Sequence, residues 1–328
     1  MANGINDIDK YLCMRKIVLL FVVMVQSCFA LTAQEVACDT FCYATHDGQE
    51  LYLDRYALDE AADAPRPCMI FAFGGGFVQG DRNHEYYSIY FDHLAREGVV
   101  VVSIDYRLGL KNLDPNGGVV AMIDVFQNAV NMAVEDMYAA TNYVIANAEE
   151  WGVDTSKIMI SGSSAGAITA VQAEWMRCNG DVRAQVLPAD FRYAAVVSCA
   201  GAIFSVNGKP KFKSEPAPMM LFHGTSDRNV PYDHSSMLGV GFYGSAYIVE
   251  QLEKLDSPYW FYSAEYVDHK MAALPYIYSC DLIMQFINDF VIRGERLQIT
   301  TDVVDLDGEK QPTRFKVMDY IRTNYKRK

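Results

Sequence analysis

The chain has 328 residues, 51% hydrophobic and 21% charged, with 28 Lys and Arg against 41 Asp and Glu for a net charge of −13. This is the composition of a folded chain long enough for one large domain or two small ones, and it excludes disordered, collagen-like and low-complexity classes. The acidic balance argues against a nucleic-acid binder, which needs a basic face to displace counterions, and against simple electrostatic docking on anionic lipid.

At the N-terminus, Arg15 and Lys16 precede an apolar run from Ile17 to Val25, followed by small and polar residues up to Gln34. The run is too short to cross a bilayer core of about 30 Å. The pattern predicts a secretory signal peptide over residues 1–33, cleaved after Ala33; the alternative is a short buried strand or helix. Met14 directly precedes Arg15 and is the expected true start. A second alternative is a lipid anchor at Cys28, because Val25-Gln26-Ser27-Cys28 loosely resembles a bacterial lipobox, with Gln26 fitting poorly. The protein is therefore expected to be exported: periplasmic, secreted or lipid-anchored at the cell envelope. Six cysteines follow residue 33, and export permits disulfides among them, with Cys38 and Cys42 the closest pair in sequence. Cys199 lies in an apolar run and reads as a buried free thiol.

Residues 34–328 read as a single domain of alternating strands and helices. Leu51–Tyr56 alternates like an edge hairpin strand, while Met69–Phe73 and Val99–Ile104 are apolar throughout, as in strands buried on both faces of a parallel sheet. Residues 119–150 predict two helices, 157–160 a strand and 165–176 a helix. Strands are expected again at 194–198, 219–222 and 260–266, with a helix at 245–255. Apolar residues from Leu282 to Val291 recur at helical spacing and predict a final helix over the sheet. Alternating β and α gives an α/β fold with a mostly parallel central sheet flanked by helices, and sites in such sheets form at the carboxyl ends of the strands.

The chemistry-bearing residues fall at those ends. After the 157–160 strand comes Gly162-Ser163-Ser164-Ala165-Gly166, a G-x-S-x-G turn leading into a helix, which makes Ser164 the candidate nucleophile and Ser163 its neighbour. After the Met69 strand comes Phe73-Gly74-Gly75-Gly76-Phe77. Backbone N–H groups of Gly75 and Gly76, with that of Ala165, would form an oxyanion hole. Asp227 follows the Met219 strand and is the candidate acid; His223, nearer the strand end, reads as structural. Of six histidines, only His269 lies after Asp227 and directly past a late strand, which makes it the candidate base. Asp268 is a rival acid by proximity, but adjacent side chains rarely meet head-on. For each of these positions the bland reading is an ordinary polar turn.

The order Ser164, Asp227, His269, together with Asp105-Tyr106-Arg107-Leu108, resembles the α/β-hydrolase superfamily over roughly Cys68 to Gly294. The resemblance is to secreted bacterial esterases and lipases of the carboxylesterase, hormone-sensitive-lipase-like and feruloyl-esterase-like branch. Such lipases usually carry His before the glycines, where this chain has Phe73. The resemblance implies an α/β-hydrolase fold and a serine hydrolase that cleaves carboxylic esters through an acyl-enzyme, on small-molecule or oligosaccharide esters such as acetylated or feruloylated polysaccharide side groups. It implies no metal and no organic cofactor. The alternatives are a serine peptidase on the same fold and a non-catalytic binding module on a hydrolase scaffold. Arg107 is expected to pair with Asp136 structurally. Gly109–Val120 and His234–Gly244 are expected beside the site, with Tyr86, Tyr87, Tyr232, Phe242 and Tyr243 as pocket-lining candidates. The stretch beyond Arg293 carries no functional signal, and Arg314–Lys328 is a basic, solvated tail.

Overall fold

A computed structural model describes residues 35–59, 64–111 and 119–315. The predicted signal segment with Met14 and Cys28, residues 112–118 of the first glycine-rich stretch and residues 316–328 of the basic tail lie outside them.

A nine-stranded sheet organises the chain. Its strands are β1 (Val36–His46), β2 (Gln49–Leu58), β3 (Arg66–Ala72), β4 (Val100–Ile104), β5 (Val153–Ser163), β6 (Ala195–Cys199), β8 (Met219–Gly224), β11 (Tyr259–Glu265) and β12 (Gln298–Val304), in the order β1-β2-β4-β3-β5-β6-β8-β11-β12. β1 and β2 form an antiparallel hairpin, β2 runs antiparallel to β4, and every later pairing is parallel. Every residue of β4, β6 and β8 is buried, as expected for apolar strands covered on both faces. The α-helices longer than a single turn are α1 (Glu85–Arg96), α2 (Val119–Ala146), α3 (Ala165–Asn179), α4 (Ser245–Glu253) and α5 (Cys280–Phe286). A second, three-stranded sheet joins β7 (Ala202–Ser205), β10 (Val240–Gly244) and β9 (His234–Met237) in that order.

Several expectations shift. The two helices expected over residues 119–150 are very unequal, one of 28 residues to Ala146 and one of a single turn, Ala148–Trp151. Leu51–Tyr56 lies inside the sheet, because β1 takes the edge. The final helix is α-helical only to Phe286 and widens to a π turn over Ile287–Ile292. Beyond Arg293 the chain adds β12, fastened to β11 in part by Trp260 Nε1 donating to Thr301 Oγ1 at 3.0 Å. Cys38 and Cys42 are exposed free thiols on β1, as strand residues four apart stand about 13 Å from each other, beyond disulfide reach. Cys199 is the expected buried thiol.

Arg107 meets Asp136 as expected. Its Nε lies 2.9 Å and a terminal nitrogen 2.8 Å from Asp136 Oδ1, and its backbone N–H donates to Oδ2 at 2.7 Å. Asp136 is fully buried on α2, so this pair pins the loop after β4 to the helix layer.

Candidate active site

The nucleophile candidate sits where β5 turns into α3. Ser164 has φ +50° and ψ −112°, a strained conformation for a residue with a side chain. The turn is tight enough that a Cβ on Gly162 would stand 2.2 Å from the Gly166 carbonyl carbon, and one on Gly166 2.0 Å from the Ala72 oxygen. The two glycines therefore let the elbow close against β3, and the strain lifts the Ser164 hydroxyl clear of the sheet.

Ser164 Oγ lies 2.8 Å from His269 Nε2, and His269 Nδ1 lies 2.7 Å from Asp227 Oδ2. The three expected side chains thus meet, drawn from the ends of β5, β8 and β11. Asp227 is buried, and its Oδ1 accepts the N–H groups of Asn229 at 2.8 Å and Val230 at 2.9 Å. Burial pushes its carboxyl up, but hydrogen bonds and charge from His223 and His269 outweigh this and hold it well below the usual carboxylate range. An ionised carboxylate at Nδ1 puts the imidazole proton there, leaving Nε2 to accept the Ser164 hydroxyl. Asp268 instead caps its own turn, accepting the Lys270 N–H at 3.0 Å.

The glycine loop stands beside the nucleophile. Gly75, at φ +129°, bends so sharply that a Cβ there would meet the Gln79 oxygen at 1.8 Å. Among the described residues, the N–H groups of Gly75, Gly76 and Ala165 have no acceptor, whereas Gly74 N–H donates to the Tyr87 hydroxyl at 3.2 Å. Phe73, at the position of the usual histidine, stacks on Tyr106 at 4.5 Å, and the Tyr106 hydroxyl donates to the Phe73 carbonyl at 2.8 Å. An aromatic stack, not an imidazole, fixes the start of this loop.

A cleft of about 610 Å³ opens over these groups. It is lined by the glycine loop, Ser164 and His269 and by Phe77, Phe126, Ile168 and Phe242, with the Phe126 ring in contact with both Phe77 at 5.7 Å and Phe242 at 5.1 Å. Of the five aromatic candidates, Tyr87 and Phe242 line the cleft. Tyr86 stacks on His84 in solvent, Tyr232 bonds Ser263 Oγ at 2.8 Å, and Tyr243 packs on Tyr247 at 4.9 Å. Sequence reasoning missed Phe77 and Phe126 as lining residues, although the fixed offset of Phe77 from the loop glycines was a usable signal. It also missed two ties behind the elbow, from Ser163 Oγ to the Ala272 carbonyl at 2.8 Å and from the Tyr276 hydroxyl to the Gly162 carbonyl at 2.6 Å. Among the described residues no group of three or more His, Cys, Asp or Glu is placed to hold a metal ion.

The BD-FAE family model matches residues 53–206. The fumonisin B1 esterase of Sphingopyxis macrogoltabida is 34% identical over 36% of this chain and 21% of its own length. Esterase LipI of Mycobacterium tuberculosis is 33% identical over 36% of this chain and 32% of its own. The chain thus matches a third or less of the length of these relatives. Esterase 2 of Thermogutta terrifontis, in its apo form, superimposes with a TM-score of 0.57 at 22% identity, covering 76% of this chain and 93% of that one, which establishes the shared fold. The family model takes in just under half of the chain, and the chain shares the α/β fold of the solved esterase.

Proposed function

We propose that this protein is a serine hydrolase that cleaves carboxylic esters through an acyl-enzyme. The observation that carries this reading is the continuous hydrogen-bonded line from Ser164 through His269 to Asp227, beside the N–H groups of Gly75, Gly76 and Ala165, which have no acceptor among the described residues. His269 Nε2 takes the Ser164 proton as Oγ attacks the ester carbonyl. The N–H groups of Gly75, Gly76 and Ala165 hold the tetrahedral oxyanion. Asp227 keeps the imidazole in its working tautomer and stabilises the imidazolium. His269 then protonates the departing alcohol, and water attacks the acyl-enzyme by the same route in reverse.

The cluster of Phe77, Phe126 and Phe242 suits a flat or short acyl group, and the polar groups that share the lining, Gln79 and Asn229, suit a hydroxylated alcohol. Acetyl or feruloyl esters on polysaccharide side groups are the substrates we favour, encountered outside the cytoplasm if residues 1–33 direct export. A panel of p-nitrophenyl acetate, methyl ferulate, acetylated xylo-oligosaccharide and an aminoacyl p-nitroanilide tests the reading. Turnover of the esters with little or none of the anilide is expected; preference for the anilide would make the protein a peptidase.

A further inference from the structure

His223 is the penultimate residue of β8 and is completely buried. Its Nδ1 lies 2.8 Å from Ser245 Oγ at the start of α4. Its Nε2 lies 3.2 Å from the Val230 carbonyl oxygen and 3.5 Å from Asp227 Oδ2. Both neighbours of Nε2 are acceptors only, so this nitrogen carries a proton whether the ring is neutral or charged. Asp227 Oδ2 is also the oxygen that His269 engages at 2.7 Å. Two imidazoles therefore converge on one carboxylate oxygen, one from the sheet interior and one from the cleft.

We propose that His223 is a positioning residue for the acid of the triad: its Nε2–H, aimed by Ser245 and shared between the Val230 carbonyl and Asp227 Oδ2, steadies the carboxylate and draws charge away from the oxygen that faces His269. The proposal rests on the reading of Ser164, Asp227 and His269 as a triad. The groups that face Asp227 are His223 from β8 and His269 from its turn. Around His223 stand Ser245 and, 5.7 Å away and edge-on, the Tyr232 ring. On the His269 turn, Asp268 and Lys270 lie 3.8 Å from each other. Without the His223 N–H, more negative charge remains on Oδ2 and stabilises the protonated form of His269. More of the base is then protonated at a given pH, so the acid limb of kcat/KM moves to higher pH. The sign is the same for a neutral and for a charged His223.

The test is the pH profile of kcat/KM for p-nitrophenyl acetate in the full chain, with the fraction labelled by a fluorophosphonate and the Tm measured alongside. His223→Asn, whose amide reaches only the Nδ1 position, is expected to raise the acid-limb midpoint by about 0.5 pH unit or more. His223→Gln places an N–H near the Nε2 position and is expected to restore most of the shift. If His223→Asn does not fold, Ser245→Ala keeps the imidazole but frees its orientation, and a smaller shift in the same direction is expected. A folded, fully labelled His223→Asn or Ser245→Ala variant with the wild-type midpoint overturns the proposal. Turnover that survives Ser164→Ala overturns the triad reading and this proposal with it, a result separable from an unchanged midpoint.

Discussion

Asp227 gives both of its oxygens to defined partners, two backbone N–H groups on one side and His269 on the other. Asp227→Asn would present an amide to the same set, removing the charge that steadies the imidazolium and favouring the wrong tautomer. Loss of about 10⁴ in kcat is expected with the fold retained, read by steady-state kinetics beside circular dichroism. The depressed carboxyl also links to stability. Its contribution is fully present above the unfolded value of about 3.9 and is lost as pH falls through the lower folded value, so the Asn variant should show a flatter acid unfolding profile below about pH 4. At this scale the sequence announces Ser164, Asp227 and His269, because each follows a strand end within a local pattern. Ser163 and Tyr276 bond across 109 and 114 residues of chain, and no local pattern marks such contacts.

The loop after β3 works as a unit. Gly75 supplies a free N–H and a backbone bend that no side chain can share, since its Cβ would fall on the Gln79 oxygen. Gly75→Ala is therefore expected to lower kcat by about 10²–10³ while KM changes little, and a trifluoromethyl ketone inhibitor should weaken in proportion. The buried strands were legible as elements because residues covered on both faces must be apolar throughout. The three strands of the small sheet were not, since β9 is largely exposed and β10 and β7 are too short to show a period. α1 carries only Tyr90, Phe91, Leu94 and Ala95 into the core, interleaved with polar residues, and this weakens its helical signal. β12 alternates at the sheet edge with most residues exposed, which is why the stretch beyond Arg293 reads as featureless in sequence.

Across the whole molecule, the sheet order β5-β6-β8-β11 brings residues 164, 227 and 269 to one edge of a rigid, buried platform. The alternation of strands and helices made the fold class readable, but strand order depends on packing between distant segments. The Arg107–Asp136 pair is one of the long-range pins. Asp136→Ala would leave the mostly buried Arg107 guanidinium without its principal partner, and a loss of about 3–5 kcal/mol is expected by urea unfolding. The proposed reaction turns on one nucleophile, Ser164. Fluorophosphonate labelling of the protein, beside Ser164→Ala and with p-nitrophenyl acetate turnover in parallel, tests it most directly. One label per chain, located on Ser164, with labelling and turnover both lost in the variant, is the predicted result. A folded protein that neither labels nor turns over, or a variant that labels as well as the parent, would contradict it.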